Sequence, residues 1–303
     1  LRLLAAAADN SELRVLPVEV TITAYPDTVV WRQALSLRIG EETTLTPDLG
    51  RRGLFRVDLR AVDPTLAAPQ QMVFASVPPP RETGTRGMFG THIAIRPLLV
   101  SYIRRLGFTW TRLHDCSLLT KWSATEPRPG EYLWHDEVAQ GVVRGGLHIL
   151  GLPDHEPEWA RVTTEGASPV DAEAYARYCE QVARHYAGTI DHWELWNEPY
   201  MGGFYSGGAA SFGELMQAGY PALKRGNPRA TVLGWCADIS NPAWGAALSD
   251  AARACIDVFS FHNYINSVPG GGTLPFAGEL PDHRKQWPPQ VTECWNTEGT
   301  NAD

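Results

Sequence analysis

From about residue 88 onward, short apolar runs alternate with helical stretches, and this alternation constrains the fold more than any other feature. The runs predict seven strands: Met88–Ile93, Phe108–His114, His148–Pro153, Ile190–Trp196, Thr231–Trp235, Ile256–His262 and Gln290–Cys294. Between them, helices are predicted at Pro97–Leu106, Asp171–Tyr186, Phe212–Arg225 and Pro242–Ala254. Because strand–helix–strand units give parallel strands, the pattern predicts an α/β fold, and its repetition favours the (β/α)8 TIM barrel.

Only seven strands can be counted before the sequence given ends at Asp303. We therefore expect residues 81–303 to form a (β/α) barrel catalytic domain that lacks its eighth strand and is truncated at its carboxyl end. A barrel that is open at one seam leaves unpaired strand edges, which is a difficulty for this interpretation.

The first 80 residues have a different pattern, with apolar and polar residues alternating at period two. The alternation is clear in Val18–Thr23, Ala34–Ile39 and Leu54–Leu59, and Gly and Pro clusters separate these runs. Such spacing is typical of antiparallel strands joined by turns. We expect residues 1–80 to form a small β-sandwich-like region that ends in a proline-rich linker, 77–84.

Composition excludes several classes of function. The formal net charge is −8, which argues against a nucleic-acid partner because phosphates repel an acidic surface. No apolar run approaches the roughly 20 residues that a membrane span needs. The five cysteines show no CxxC spacing, so buried free thiols are expected rather than a disulfide framework or a metal site.

Two glutamates fall at predicted strand ends, where barrel enzymes carry their chemistry. Glu198 follows the fourth strand in the sequence Trp-Glu-Leu-Trp-Asn-Glu-Pro, and Glu293 ends the predicted seventh strand in Val-Thr-Glu-Cys-Trp. Glycosidic hydrolysis requires two carboxyl groups, one to protonate the departing oxygen and one to attack the sugar or activate water. The pair therefore predicts a glycoside hydrolase.

These motifs resemble those of the clan A glycoside hydrolases, in which Asn-Glu ends strand four and a second glutamate ends strand seven. Within the clan the sequence is most similar to glycoside hydrolase family 39, the β-xylosidase and α-iduronidase group, because Arg112-Leu113-His114 matches that family's Arg-x-His element. The resemblance covers roughly residues 86–298. It implies a retaining enzyme that acts by double displacement on O-glycosidic bonds of an oligo- or polysaccharide.

The resemblance also implies roles for individual residues. Glu198 would be the acid/base and Glu293 the nucleophile, while Asn197 would bind the sugar 2-hydroxyl and Arg112 would keep Glu293 ionised. His262 or Tyr264 would orient the nucleophile. Further substrate-binding candidates are His114, His155 and Trp295.

Several expectations accompany this assignment. Glu194 is interpreted as a structural residue deeper in the barrel, and Glu298 as a solvated loop residue. The pKa of Glu198 is expected to be raised towards neutrality by repulsion from Glu293. The two catalytic carboxyl groups are expected about 5–5.5 Å apart, the spacing of retaining enzymes.

No cofactor and no metal are expected, because the nine histidines show neither HxH nor HExxH spacing. An extracellular or periplasmic location is suggested by the substrate class alone. Two alternatives remain open: an endo-acting polysaccharide hydrolase of the same clan, and a non-catalytic carbohydrate-binding protein with a degenerate barrel. The shape of the barrel mouth and a test for hydrolysis distinguish them.

Overall fold

The computed structural model of the 303-residue chain describes residues 1–6, 12–77, 87, 89–114, 117–163, 168–238, 242–265, 284–285 and 287–301. The side chains of residues 238, 264, 265, 300 and 301 lie outside this description, as do Cys116, Met88 and residues 78–84 of the expected linker. The chain divides into two compact units, Leu1–Pro80 and Arg81–Asp303.

The first unit consists of two antiparallel sheets. Its strands are β1 (Arg2–Leu4), β2 (Val15–Ala24), β3 (Thr28–Arg38), β4 (Glu42–Thr44), β5 (Gly53–Ala61) and β6 (Gln70–Ser76). The larger sheet has the order β3-β2-β5-β6, and β1 pairs with β4. Alternate residues of β2, such as Val18, Val20 and Ile22, are buried on one face and pack with Phe55 and Val57 of β5. The alternation in the sequence thus corresponds to one apolar and one solvated sheet face.

The second unit has a parallel sheet with helices between its strands. Its strands are β7 (Gly90–Thr91), β8 (Trp110–Arg112), β9 (His148–Gly151), β10 (His192–Glu194), β11 (Thr231–Asp238), β12 (Val258–Ile265) and β13 (Cys294–Asn301). Its helices are α1 (Pro97–Arg105), α2 (Trp122–Thr125), α3 (Asp136–Arg144), α4 (Ala172–His185), α5 (Gly208–Gly226), α6 (Pro242–Ala246) and α7 (Asp250–Arg253).

The seven strands of this sheet pair in sequence order from β7 to β13, and every pair is parallel. The expected α/β class is confirmed, and the sheet is curled into a half-barrel. Among the residues that the structure describes, no eighth strand pairs with either edge. Because the strands are parallel and in register, their carboxyl ends lie at one rim of the sheet, where barrel enzymes place their chemistry.

The helices follow from local signals in the sequence. Asp171 caps α4 by accepting hydrogen bonds from the backbone N–H groups of Glu173 and Ala174. The predicted helix Pro242–Ala254 is instead two helices, α6 and α7. Ser249 interrupts it because its side chain caps α7 and accepts from the backbone N–H of Ala252. None of the helices in the described ranges combines the length and apolar character that crossing a bilayer requires.

The seventh strand of the sheet differs most from the prediction. Gln290–Cys294 was expected to be this strand, with Glu293 near its end, but β13 begins at Cys294 and runs to Asn301. Cys294 pairs with Phe259 near the start of β12, and the backbone carbonyl of Glu293 accepts from the N–H of Phe259. The predicted strand therefore lies almost entirely before the observed one. Glu293 lies at the amino-terminal end of β13.

Candidate active site

Strained backbone marks the carboxyl-terminal rim of the parallel sheet. Four non-glycine residues in the described ranges have positive φ: His155 (56°), Trp196 (65°), Glu198 (39°) and Cys236 (53°). His155 follows β9, Trp196 and Glu198 follow β10, and Cys236 lies in the second half of β11. Side chains other than glycine are disfavoured in this region, and residues held there cluster at functional sites.

Glu198 is buried at this rim and bound through one of its oxygens. Its side chain was expected to follow the strand alternation, but β10 ends at Glu194 and the positive φ angles redirect the chain. Oε1 lies 2.7 Å from Nδ1 of His262 and accepts a 2.9 Å hydrogen bond from the Tyr200 hydroxyl. The backbone N–H of Glu198 donates to Sγ of Cys236 at 3.2 Å.

The expectation of a raised pKa for Glu198 is wrong for this arrangement. Burial raises its pKa, but the hydrogen bonds from His262 and Tyr200 and the charge of Arg112 outweigh burial and lower it. The carboxyl group is therefore ionised at neutral pH in the free protein.

A second carboxylate, Glu298, reaches the same rim from β13. It is level with His262 of β12, and its Oε2 lies 3.9 Å from His262 Nε2. Gly299 brings the strands this close, because a Cβ at that position would lie 2.4 Å from the carbonyl oxygen of Asn263. Glu298 was expected to be a solvated loop residue, and the structure corrects this: it lies in a strand and forms an ion pair.

Arg112 connects three strands beneath this carboxylate. Its guanidinium donates to Oε2 of Glu194 at 2.6 Å, to Oε2 of Glu298 at 2.8 Å and to Oδ1 of Asn197 at 2.9 Å. Burial by itself lowers the pKa of Arg112, but the negative charges, led by Glu194, raise it above its usual value. The arginine is a fixed positive charge in a site of low dielectric constant.

Glu194 is the deepest of the acidic residues. It is fully buried, and the Thr297 hydroxyl donates to its Oε1 at 2.7 Å. Burial raises its pKa, yet Arg112 and then His262 lower it below its usual value. Glu194 was interpreted as structural, and the geometry adds that it binds the same guanidinium as Glu298.

Glu293 is far from this network. It is exposed at the amino-terminal end of β13, where its Oε1 accepts a 2.6 Å hydrogen bond from Nε1 of Trp295. The expectation that Arg112 acts on Glu293 is wrong, because Arg112 lies at the opposite rim and binds Glu298. The assignment of Glu293 as nucleophile therefore loses its structural basis.

Trp295 was expected to line the sugar site, and it too lies at the amino-terminal end. Its ring contacts those of Trp110 and His192 at centroid distances of 5.0 and 5.7 Å. Trp110 and His192 are the first residues of β8 and β10, so these rings close the amino-terminal end of the sheet. The placement of Trp295 at a subsite is corrected accordingly.

The other expected residues lie at the carboxyl-terminal rim. Asn197 is buried, and its Nδ2 has no hydrogen-bond partner among the described residues. The rings of His114 and His155 lie 6.0 Å apart, and both contact Phe204. The side chain of Tyr264 is outside the described residues.

Sequence reasoning missed four residues of this site: Cys236, Tyr200, His92 and Glu298. Nε2 of His92 lies 3.3 Å from the carbonyl oxygen of Thr297, next to Glu298. The strand-end position that identified Glu198 would also have identified Glu298, had β13 been placed correctly. Cys236 gives no signal in the sequence, because a single cysteine in an apolar strand has the pattern of a core residue.

Two groups among the described residues have metal-ligand chemistry. They are His92–His114–Glu298 and Glu194–Cys236–His262, and within each group the ligand atoms lie within 4.8 Å of one another. Each contains a carboxylate that already binds Arg112. A divalent cation would have to compete with that guanidinium, so we assign no metal to either group.

A cleft of about 340 Å³ lies on the same side of the sheet, between the loops that follow β9 and β10. Its walls include Arg161, Gly203, Phe204 and Tyr205. Because Phe204 also contacts His114 and His155, the cleft adjoins the rim that carries the two glutamates.

Comparison with solved structures finds similar folds among glycoside hydrolases. A family 39 glycoside hydrolase from the gut symbiont Bacteroides cellulosilyticus WH2 superposes with a TM-score of 0.64 at 17% sequence identity. The alignment covers 94% of this chain and 62% of that one, so the chain spans less than two thirds of that protein. The fold resembles that of a clan A glycoside hydrolase.

Weaker similarity extends to other glycoside hydrolases. Xylanase 10B from Thermotoga petrophila RKU-1, solved in complex with xylobiose, gives a TM-score of 0.47 at 14% identity over 66% of this chain and 67% of that one. A β-glucuronidase from Bacteroides uniformis gives 0.41 at 15% identity over 90% and 35%. No protein-family model and no curated protein sequence matches the chain.

Proposed function

We propose that this protein is a retaining glycoside hydrolase in which Glu198 is the acid/base and Glu298 the nucleophile. One observation carries the proposal: a carboxylate from the segment that follows β10 and a carboxylate of β13 lie beside one imidazole. Glu198 is 2.7 Å from Nδ1 of His262, and Glu298 is 3.9 Å from Nε2 of the same ring. This arrangement is compatible with the spacing of about 5–5.5 Å that a covalent glycosyl-enzyme requires.

The reaction is a double displacement. A carboxylate oxygen of Glu298 attacks the anomeric carbon while Glu198 protonates the departing oxygen, and the bond to the aglycone breaks. Glu198 then removes a proton from water, whose oxygen attacks the same carbon and releases Glu298. Arg112 supports the first step because its guanidinium donates to Oε2 of Glu298 and so orients the attacking carboxylate.

Asn197 has a role in substrate binding under this proposal. Its carbonyl oxygen is bound by Arg112, which fixes the amide, while Nδ2 is a donor that no described residue accepts from. A buried donor of this kind stabilises a ligand oxygen that replaces water. We assign it to the sugar 2-hydroxyl, where hydrogen bonds strengthen as positive charge develops on the ring.

Glu198 has to gain a proton before the first step, because its pKa is lowered in the free protein. A bound sugar displaces water from between the two glutamates, and the repulsion between ionised carboxylates then grows. That repulsion favours protonation of one of the two, and we assign the proton to Glu198 because Glu298 binds the Arg112 guanidinium. Turnover should consequently be fastest on the acidic side of neutrality.

The cleft beside Phe204 bears on the choice between exo and endo action. It continues from the rim, so a substrate longer than one sugar unit has room to extend along it. This favours an oligo- or polysaccharide over a simple glycoside, and the endo-acting alternative remains compatible with it. A non-catalytic binding protein is disfavoured because binding alone does not need two carboxylates held on either side of one imidazole.

A trapping experiment tests the assignment. The full chain is incubated with a panel of activated 2-deoxy-2-fluoro glycosides. In these compounds fluorine slows both the formation and the hydrolysis of the glycosyl-enzyme, and the activated leaving group restores the rate of formation. We expect a covalent adduct whose mass equals one fluorosugar, located by peptide mass spectrometry on Glu298. The Glu293→Gln variant should form the adduct at the rate of the parent protein. An adduct on Glu293, or inverted product stereochemistry by NMR, contradicts the proposal.

The acid role is tested separately with Glu198→Ala. Loss of a general acid costs about 10²–10⁴-fold for aglycones that need protonation. We expect that loss on alkyl or sugar aglycones and a much smaller one on dinitrophenyl glycosides. Tyr200→Phe is the matched control, because it removes one hydrogen bond to Oε1 but leaves the carboxyl group. Equal losses on both substrate types would argue against an acid role for Glu198.

A further inference from the structure

The carboxylate of Glu198 is anchored on one side only. Both of its hydrogen bonds end on Oε1, from Nδ1 of His262 and from the Tyr200 hydroxyl, while Oε2 accepts none from the described residues. Oε1 is an unfavourable site for the proton that is transferred, because a proton on this oxygen would point towards two hydrogen-bond donors. The oxygen that gives its proton to a leaving group is then Oε2.

This assignment depends on which nitrogen of His262 carries hydrogen. Neutral imidazole has one N–H donor and one acceptor nitrogen. With the hydrogen on Nδ1, the ring donates to Oε1 and leaves Oε2 to carry the acid proton. With the hydrogen on Nε2, the lone pair of Nδ1 faces Oε1 at 2.7 Å and draws the acid proton to the anchored oxygen.

Cys236 contacts the other nitrogen. Its Sγ lies 3.1 Å from Nε2 of His262 and 3.2 Å from the backbone nitrogen of Glu198. A backbone N–H can only donate, so the sulfur is the acceptor in that contact. The hydrogen of the thiol is then available for Nε2, which accepts it only in the Nδ1–H tautomer.

The thiol keeps its hydrogen throughout the pH range of activity. Cys236 is fully buried, and burial raises the pKa of its thiol well above the usual value, an effect to which the Glu194 carboxylate adds. Its backbone N–H donates to the Ser260 hydroxyl at 3.0 Å, which helps to hold the positive φ of Cys236. The strained backbone thus aims the sulfur at both neighbours.

We propose that Cys236 is a positioning residue that donates its thiol hydrogen to His262 Nε2, fixes the Nδ1–H tautomer and keeps the acid proton of Glu198 on Oε2. The proposal rests on the proposed function of Glu198 as acid/base. The other charged or titratable groups that act on His262 or its partner are Glu298, Glu194, Arg112 and His92. Substitution of Cys236 leaves all four in place.

The tautomer is measured by NMR of the full chain labelled with ¹⁵N at histidine. The spectrum distinguishes a protonated from an unprotonated ring nitrogen, and His262→Gln identifies the signals by their loss. We expect protonated Nδ1 and unprotonated Nε2 in the parent protein and in Cys236→Ser, whose hydroxyl can also donate. Cys236→Ala should move hydrogen to Nε2. Cys255→Ala is the control, because it removes a half-buried thiol of the same unit and should leave His262 unchanged.

Kinetics give a second readout. In Cys236→Ala we expect kcat to fall about 10- to 100-fold on poor leaving groups, and much less on dinitrophenyl glycosides. The basic limb of kcat/KM should move to higher pH, because Nδ1 no longer donates to Glu198 and no longer lowers its pKa. Cys236→Ser should restore most of the rate and the pH profile.

Three results overturn the proposal: hydrogen on Nε2 in the parent protein, an unchanged tautomer in Cys236→Ala, or a loss in Cys236→Ser as large as in Cys236→Ala. If Cys236→Ala does not fold, the parent protein and the serine variant still decide, because each has a predicted tautomer. The NMR measurement needs no turnover, so failure to hydrolyse glycosides would count against the proposed function and not against the tautomer.

Discussion

A glutamate at the start of strand β13 and another further along the strand lie in opposite environments. Glu293, at the amino-terminal end, is exposed and bound by Trp295, whereas Glu298 pairs with the buried Arg112 and lies beside His262. The two residues are five positions apart in the sequence. Because of this separation, Glu293 lies at the rim that the aromatic rings close and Glu298 at the rim that carries the ion pairs of Arg112. Strand register, rather than the presence of a glutamate in a motif, decides which one reaches the candidate site.

The largest expected effect separates these two glutamates directly. Glu298→Gln keeps the size of the side chain but removes the attacking carboxylate, so kcat should fall on the order of 10⁴-fold or more. Glu293→Gln should stay within about twofold of the parent protein, since its side chain is exposed and remote from Arg112. Steady-state hydrolysis of aryl glycosides measures both. The reverse ranking would restore Glu293 as the nucleophile.

The second prediction concerns the free energy of unfolding. Glu194→Gln removes the negative charge from its buried pair with Arg112, which should cost about 3 kcal/mol. Glu293→Gln is the matched substitution at the other rim and should cost less than about 0.5 kcal/mol. Urea unfolding of both variants gives the difference, and similar costs would mean that the buried network contributes little.

The third prediction, a smaller effect, is that the stabilisation contributed by Glu194 depends on pH. The pKa of Glu194 is lower in the folded protein than its usual value of 4.5, so its ionisation stabilises the fold above that value. The contribution is lost as pH falls through the folded pKa. Between about pH 5 and pH 3 the stability of the parent protein should therefore fall more steeply than that of Glu194→Gln, and the two curves should converge. Parallel curves would contradict this.

The smallest expected effect tests the aromatic rim. Trp295→Leu removes ring contacts with Trp110 and His192, which should cost roughly 1–2 kcal/mol of stability. KM should change less than about twofold, because the residue is not near the sugar site. Thermal unfolding and Michaelis kinetics on one preparation measure both. A large rise in KM with unchanged stability would return Trp295 to a subsite.

Much of the scaffold follows from the sequence. All seven predicted strands overlap observed strands of the parallel sheet, the seventh only at Cys294, because short apolar runs between helices define most of them well. Glu198 could be found because its Asn-Glu-Pro motif ends such a run. Its low pKa could not, since the hydrogen bonds to Oε1 come from Tyr200 and from His262, 64 residues away.

The seventh strand could not be placed because its sequence, Cys-Trp-Asn-Thr-Glu-Gly-Thr-Asn, is polar where an apolar run was sought. The polar residues at the carboxyl end of β13 are those that reach the candidate site. They replace the apolar pattern by which a strand is recognised in a sequence. The role of Arg112 was likewise assigned to the wrong glutamate. Its three acceptors lie 82, 85 and 186 residues away, and no local pattern records that distance.

The guanidinium of Arg112 ties β8 to the segments that contribute Glu194, Asn197 and Glu298. A chain whose last strand has not yet joined the sheet lacks both the carboxylate of Glu298 and the charge balance of its arginine. On the proposed assignment, such partly folded forms cannot hydrolyse glycosides. Turnover would then report on assembly, because it needs distant parts of the polypeptide to have come together.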